Sequence, residues 1–363
     1  MPVGVTLIGE GVAPGAVLAV TGGRVAIDTG DRVEVYEQQA FLAGARSASY
    51  ALRLPPQAKA TLAPDGSFVI AEGAAVRAVD ADGSTRWKLP HDPWHGGRRE
   101  PRAPGFPAVS PDGKLVSVLT PMLVDDVARA VLVYDEPHRG YGRDTLLVLD
   151  AVSGAVHARR QVASVASGVT QHWQPDGATL VLSCWSAWYS WSTWWIDPRT
   201  DNLGIRGGTA MREVSGSLPG SAQVLTMRRA ENIAYQDDCD ELALHDAVSG
   251  EQVALFDLEE LATDPDYDEF DDAYVLDAEH VLVTGKVHPQ GRAPEVCHWL
   301  FEAVTLQPPG RMRYPGSVSE EVTPLGDGTW LTRQGGRLHH WALAAPAGGT
   351  EGHVPRGPDA GRR

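Results

Sequence analysis

The sequence predicts an all-β fold, a seven-bladed β-propeller, because one unit of turn and strand recurs along most of the chain. Four segments join a Gly-containing turn to an apolar strand: APDGSFVI (63–70), SPDGKLVSVL (110–119), QPDGATLVL (174–182) and LGDGTWLT (325–332). Three more place an Asp-capped turn between two strands: VRAVDADGSTRWKL (76–89), LLVLDAVSGAVHAR (146–159) and LALHDAVSGEQVAL (242–255). Asp accepts backbone hydrogen bonds in such turns, and Gly tolerates their positive φ. Blocks of about 40–50 residues with a turn every ten or so are typical of propeller blades.

The blocks can be placed along the chain as seven blades, at 16–54, 58–90, 104–164, 168–208, 211–258, 272–315 and 319–343. The last block lacks a fourth strand, whereas VGVTLIG (3–9) is strand-like and has no partner in the first block. We therefore predict that the N-terminal strand completes the last blade and closes the ring, which removes an exposed sheet edge. The predicted organisation is one domain over 1–343 and a C-terminal tail over 344–363, whose Gly, Pro and charge suggest disorder.

The SPDG and DAVSG motifs resemble those of the WD-repeat and quinoprotein-like β-propellers, and the resemblance extends over nearly the whole chain. The Trp-Asp dipeptide of typical WD repeats does not occur. The chain thus resembles a divergent, bacterial-type member of this superfamily. The segment 76–89, with Trp87, is similar to a quinone-type repeat, but quinone-dependent relatives commonly have eight blades and a calcium ion. The resemblance implies a scaffold and specifies no chemistry.

Bulk composition excludes several classes of protein. The formal net charge of −16 and the pI near 5.1 argue against binding to nucleic acid or to an anionic membrane surface. No apolar run reaches the length of about 18 residues that a membrane span requires, and the N-terminus lacks a basic secretory signal. Cys184, Cys239 and Cys297 are few and widely spaced, which suits a reducing compartment. We expect a monomer in the cytoplasm.

The stretch SCWSAWYSWSTWW (183–195) is rich in tryptophan. Its Ser, Thr and aromatic residues favour strands over helices, so we predict a strand over 179–185, a tip at Ser186–Ser190 and a second strand over 191–197. The tryptophans on the strands are expected to be core residues that join adjacent blades: Trp185, Trp191, Trp194 and Trp195. Trp188 and Tyr189 lie at the tip, where they either fold back onto a neighbouring loop or contact a ligand.

Long insertions are expected to converge on one face of the propeller, opposite the tight turns. They occupy 88–105, 120–144, the Trp188 tip, 228–241, 261–272 and 286–295. Elaborated loops on a rigid scaffold commonly carry function, and Trp, Tyr and Arg are common at interaction hot spots. We therefore predict a non-enzymatic scaffold that binds a protein or peptide. The candidate binding residues are Trp94, Arg98, Arg99, His138, Arg139, Tyr141, Trp188, Tyr189, Asp266 and Asp268.

No catalytic residue, metal ligand or cofactor is assigned. His91 and His95 have metal-ligand spacing for a helix, but Pro93 and two following glycines disfavour a helix there. The acidic run 264–272 fails the calcium-loop pattern, which requires Gly at its sixth position; with the basic segment 98–102 it can instead recognise a charged partner. The alternative function is a lactonase-like propeller hydrolase with its site at the central mouth of the same face.

Replacing Trp188 and Tyr189 by Ala is expected to weaken binding of a partner while leaving thermal stability nearly unchanged, because residues at a hairpin tip contribute little to the core. Binding and thermal unfolding of the double variant test this. A large loss of stability would show instead that both side chains belong to the core.

Overall fold

The computed structural model describes residues 2–44, 48–94, 103–121, 144–162, 164, 168–186, 190–228, 241–262, 269–289, 292–308 and 310–344. The prediction of an all-β propeller is confirmed, because almost every described element is a strand of an antiparallel sheet. Within these ranges no helix is long and apolar enough to cross a bilayer.

Five separate sheets of four strands each follow one another along the chain, and they are the blades of the propeller. The first strand of the chain, β1 (Val3–Val12), belongs to none of them. The first blade contains β2 (Ala16–Thr21), β3 (Arg24–Asp28), β4 (Arg32–Glu37), the short helix α1 (Gln38–Leu42) and β5 (Tyr50–Arg53). The second contains β6 (Lys59–Leu62), β7 (Phe68–Ala71), β8 (Ala75–Val79) and β9 (Thr85–Pro90). The third contains β10 (Ala108–Val109), β11 (Leu115–Thr120), β12 (Asp144–Asp150) and β13 (Val156–Val162).

The two remaining blades complete the set of five. The fourth contains β14 (Val169–Trp173), β15 (Leu180–Ser186), β16 (Ser190–Asp197) and β17 (Gly204–Ala210). The fifth contains β18 (Arg212–Ser217), β19 (Gln223–Arg228), β20 (Glu241–Asp246) and β21 (Gln252–Asp257), and a 3-10 helix (Leu258–Leu261) follows it. The first strand of each blade contacts the first strand of the next, so these strands lie innermost.

The other eight strands form one continuous sheet rather than separate blades. They are β1 together with β22 (Glu269–Val275), β23 (His280–Val287), β24 (Glu295–Glu302), β25 (Gly310–Arg313), β26 (Val322–Pro324), β27 (Trp330–Gln334) and β28 (Arg337–Leu343). Strand β1 pairs antiparallel with β28, as predicted for the N-terminal strand. It also pairs in parallel with β25, at Val3–Met312 and Gly4–Arg313.

The prediction of seven blades is therefore wrong: over the described residues the structure has five four-stranded blades. The physical reason is the second edge of β1. A strand that only completed a last blade would leave that edge unpaired, and here the edge instead joins the strands of the last two predicted blocks into one sheet. Of the predicted tail, Ala344 is described, and its backbone N–H donates to the carbonyl of Gly4 at 2.9 Å. The rest of the tail lies outside the described residues, and the domain boundary stays a prediction.

The alternation of antiparallel strands defines two faces of the propeller. The tight-turn face carries the Gly turns between first and second and between third and fourth strands, such as those at Gly66, Gly113 and Gly154. The loop face carries the remaining connectors, and all six predicted insertions begin and end there. One longer connector departs from this rule: the segment with α1, between β4 and β5, leaves and re-enters on the tight-turn face.

The tryptophan-rich stretch forms the predicted hairpin. Strands β15 and β16 pair in register, with Trp185 opposite Trp191. Trp195 is fully buried, as predicted for a core residue, whereas Trp191 and Trp194 are only half-buried. The tip at 187–189, with Trp188 and Tyr189, and the side chain of Trp185 lie outside what the structure describes.

The repeated DAVSG turns have one geometry and one packing role. In the first, the Asp150 carboxylate accepts hydrogen bonds from Ser153 through its backbone N–H and its hydroxyl, both at 2.7 Å. Asp246 and Ser249 repeat this arrangement in the second.

Glycine is required in both turns for two reasons. Gly154 and Gly250 have φ of 71° and 76°, which side chains with a Cβ rarely adopt. A Cβ at Gly154 would lie 2.6 Å from the Trp87 ring, and one at Gly250 would lie 2.9 Å from the Trp195 ring. Each glycine thus lets an indole of the preceding blade lie against the turn of the next.

Gly250→Ala is expected to lower the free energy of unfolding by about 2–4 kcal/mol, since it combines a disfavoured φ with overlap on Trp195. Gly177→Ala is the matched control: Gly177 also has positive φ, 65°, but nothing lies within 4 Å of its added Cβ. The control should lose only about 1 kcal/mol in urea unfolding. Equal losses in the two variants would contradict the packing role.

Candidate functional site

Of the ten predicted binding residues, Trp94 is the one that the structure describes. Arg98, Arg99, His138, Arg139, Tyr141, Trp188, Tyr189, Asp266 and Asp268 lie outside the described residues. The described strands on either side of these residues end on the loop face. The binding role of all ten stays a prediction.

Trp94 is held on the loop face by the backbone. After β9 ends at Pro90, the N–H of His91 donates to the carbonyl of Ala74, and the N–H of Trp94 donates to that of Gly73, each at 3.0 Å. These two bonds attach the segment to the loop between β7 and β8. The indole is half-buried and packs against the hydrophobic core between the third and fourth blades. It therefore bridges from the second blade to its neighbours.

The His91 ring supports this segment. Its Nδ1 lies 2.7 Å from the backbone carbonyl of Asp92, and its ring meets that of Trp94 edge-on at 6.1 Å. Burial lowers the pKa of His91, which favours a neutral imidazole near pH 7. The hydrogen bond of His91 to a carbonyl and its contact with an indole are typical of a structural residue. This geometry does not support His91 as a metal ligand.

A cavity of about 320 Å³ opens beside Trp94, and we call it the Trp94 pocket. It is lined by Pro56, Gln57, Gly73, Ala74, Pro93, Trp94 and Pro104. Three prolines give the wall a backbone with fixed φ and few donors. The lining is about equally polar and apolar, so the pocket suits a side chain with an apolar body and a polar end, presented by another molecule.

A larger cavity, of about 860 Å³, lies along the axis of the propeller. The innermost strands β2, β6, β10 and β14 and the segment before β10 contribute its walls, including Leu18, Thr61, Phe106, Gln171 and His172. Burial lowers the pKa of His172 to about 4, so this imidazole is uncharged at neutral pH. The described wall is thus mostly apolar or neutral.

Phe106 and Thr170 line this cavity near the loop face, and each contacts a charged side chain. The Lys59 ammonium lies 4.8 Å from the centre of the Phe106 ring, a cation–π contact. Thr170 donates to the Glu213 carboxylate at 2.6 Å. We call these residues the channel mouth.

Lys286, near the loop-face end of β23, lies between two carboxylates. Its Nζ is 3.7 Å from Asp271 and 3.1 Å from Glu320. Hydrogen bonding to Glu320 raises the pKa of Lys286, whereas burial raises the pKa of Asp271 and the nearby lysine opposes that shift. Among the described residues, no group of three or more His, Cys, Asp or Glu side chains is placed to hold a metal ion.

Sequence reasoning missed some of these charged residues. Asp271 fell in the acidic run 264–272 and Lys286 at the start of the predicted insertion 286–295. Lys59 and Glu213, however, are isolated charges that no local motif marks. The available signal was their position at strand ends that meet on the loop face, and using it requires the register of the sheets.

Comparison with solved structures agrees with this architecture. The described strands define a WD40-like β-propeller. The chain is similar to the Pan2 WD40 domain of Neurospora crassa, with a TM-score of 0.55, 9% sequence identity, and coverage of 94% of this chain and 96% of that chain. This likeness concerns the fold alone. No family model and no curated protein matches the sequence.

Lys286→Met is expected to lower stability by about 0.5–1 kcal/mol at neutral pH, because it leaves two partly buried carboxylates without their shared cation. Removing the cation raises the pKa of Asp271 further above its unfolded value. A carboxyl whose pKa is raised on folding destabilises the folded state when it is ionised, and this cost disappears when the carboxyl is protonated. The loss of stability in Lys286→Met should therefore shrink as the pH falls from about 7 toward about 4.

Urea unfolding at the two pH values measures this effect. Lys88→Met, a change of an exposed lysine on β9, is the control and should show no such pH dependence. An equal loss for Lys286→Met at both pH values would exclude the coupling.

Proposed function

We propose that this WD40-like propeller is a non-enzymatic scaffold that holds a protein or peptide partner against its loop face. A scaffold role in protein interaction is the general suggestion of the fold. The observation that supports the loop face is the Trp94 pocket, a proline-walled recess on the side where six long connectors begin and end. The segment 103–107 connects this pocket to Phe106 at the channel mouth.

The pocket combines features that favour affinity for a side chain. Trp94 is already fixed by its backbone bond to Gly73 and by core packing, so it loses little conformational freedom on binding. Aromatic residues in such settings are frequent hot spots. The Lys59 ammonium lies over the ring of Phe106, two residues along the chain from Pro104 of the pocket wall, and this charged group would orient a bound peptide.

The same proposal includes the oligomeric state and the location of the protein. We propose a monomer in the reducing environment of the cytoplasm. The side chains of Cys184 and Cys297 are buried, and burial raises the pKa of the Cys184 thiol, which disfavours the reactive thiolate. Light scattering on the purified protein tests the monomer, and a stable dimer would contradict it. The hydrolase alternative stays a prediction.

Selection from a displayed random peptide library against the full chain tests the scaffold function. An enriched peptide, synthesised with a fluorophore, is expected to bind Trp94→Ala about tenfold or more weakly, the effect typical of a hot-spot residue. Val152→Ala is the control, because Val152 is 68% exposed in a turn on the opposite face. Fluorescence anisotropy gives the affinities.

Circular dichroism of Trp94→Ala and of the milder Trp94→Phe separates lost binding from lost folding. Peptides that bind folded Trp94→Ala as tightly as the wild type, or that are weakened only by Val152→Ala, would contradict the assignment to the loop face.

A further inference from the structure

A separate cavity, of about 250 Å³, lies at the seam between the eight-stranded sheet and the first blade. We call it the seam cavity. One wall is the sheet surface formed by Gly9, Gly11, Leu331, Leu338 and His340. The opposite wall is formed by Tyr36, Phe41, Leu42 and Gly44, and Glu10, Val12 and Pro14 complete the lining. The cavity shares no lining residue with the Trp94 pocket or the axial cavity.

Two glycines of β1 make room for this cavity. In the sheet, Gly9 lies opposite His340 and Gly11 lies opposite Leu338. An added Cβ at Gly11 would meet no atom within 4 Å, so the space above it is open. On the other side, α1 follows β4 directly and brings the Phe41 ring to 5.1 Å from that of Tyr36. The cavity is therefore bounded by aromatic rings on one side and a side-chain-poor strand on the other.

Hydrogen bonding fixes the proton on the His340 ring. The hydroxyl of Thr329 donates its one hydrogen to the Asp327 carboxylate at 2.6 Å. The same hydroxyl lies 3.0 Å from His340 Nε2, so it must accept there, and Nε2 carries the ring proton. Nδ1 is then the acceptor nitrogen, and it lies on the side of Gly9, 3.8 Å from where a Cβ of that residue would be. Burial lowers the pKa of His340, which keeps the ring neutral.

The polar groups around the seam cavity offer acceptors rather than donors. The Glu10 carboxylate lines it and is paired with Arg337. The Tyr36 hydroxyl donates its hydrogen to Glu34 at 2.7 Å and has none left to offer. A ligand that complements these groups must itself supply a hydrogen. An engineered cavity of about 150 Å³ holds benzene, so the larger seam cavity can hold a molecule of one or two rings.

We propose that the seam cavity binds a small, flat, mainly apolar molecule whose hydroxyl or amino group donates a hydrogen bond to His340 Nδ1. The ring of the ligand would lie against Phe41 and Tyr36, and its donor would point to β28. This site is independent of the proposed loop-face function.

Indole and indene are matched probes for this proposal, because they have nearly the same shape and only indole has an N–H donor. Calorimetric titration of the full chain is expected to show indole binding about fivefold or more tightly than indene, the effect of one buried hydrogen bond. His340→Leu should remove most of that preference while indene still binds.

Gly11→Leu should abolish binding of both probes, since its side chain enters the cavity. Gly316→Leu is the matched control: Gly316 also has nothing within 4 Å of an added Cβ, and it lies outside the seam cavity. Gly11→Ala, a smaller filling, should weaken binding in part, and thermal unfolding verifies that each variant is folded. Equal affinity of wild type for the two probes, unaltered binding by folded Gly11→Leu, or no binding of either probe to the wild type would overturn the proposal.

Discussion

Packing between successive sheets is the constraint on which this propeller depends. Each four-stranded sheet has two apolar faces, and it can bury them only against the neighbouring sheets. Tryptophan side chains pack across the blade boundaries. The indole N–H of Trp87 donates a hydrogen bond to the carbonyl of Ala151 at 2.8 Å, and that of Trp173 donates to the Ser117 hydroxyl at 3.1 Å. Trp195 lies against the His245 ring of the next blade at 5.0 Å. Removing a buried indole of this kind typically costs about 3–5 kcal/mol, so a few such contacts account for much of the marginal stability of a domain.

This packing also explains why the two faces differ. The turns that receive the indoles must be short and must contain glycine at fixed positions, as Gly154 and Gly250 show. Longer connectors on a packed scaffold tolerate changes of length and composition more readily than such turns do. The helix α1 is an exception to the short turns of the tight-turn face. It lies on the tight-turn side but at the seam, where the packing between sheets leaves a cavity.

Much of the fold could be predicted from the sequence because the turns are local. Asp150 and Asp246 cap their turns with bonds to residues two or three positions away, and such short-range geometry is visible in the letters DAVSG. The hairpin of β15 and β16 was predictable from the strand preference of its Ser, Thr and aromatic residues. The sheet count was wrong because β1 pairs with β25 through only two residue pairs, about 310 positions apart in the chain, and no local pattern encodes that contact.

The candidate sites could likewise be predicted only where the contacts are local in the chain. Trp94 could be predicted because it lies in a long, aromatic-bearing insertion, whereas Lys286 meets Glu320 only when β23 and the segment before β26 come together. His340 could be placed on a strand from the alternation of RLHHWAL, but its acceptor nitrogen depends on Thr329 and Asp327, which belong to another turn.

The seam has a thermodynamic property that the loop face lacks. Its walls come from β1 near the N-terminus, from β4 and α1, and from β27 and β28 near the end of the described chain. The cavity therefore exists only when the two ends of the fold are joined. A molecule that binds there binds the closed form alone and stabilises it in proportion to RT ln(1 + [L]/Kd). A partner in the Trp94 pocket would contact a segment that the second blade already holds through the backbone bonds of His91 and Trp94, so its binding would be coupled less directly to closure of the ring.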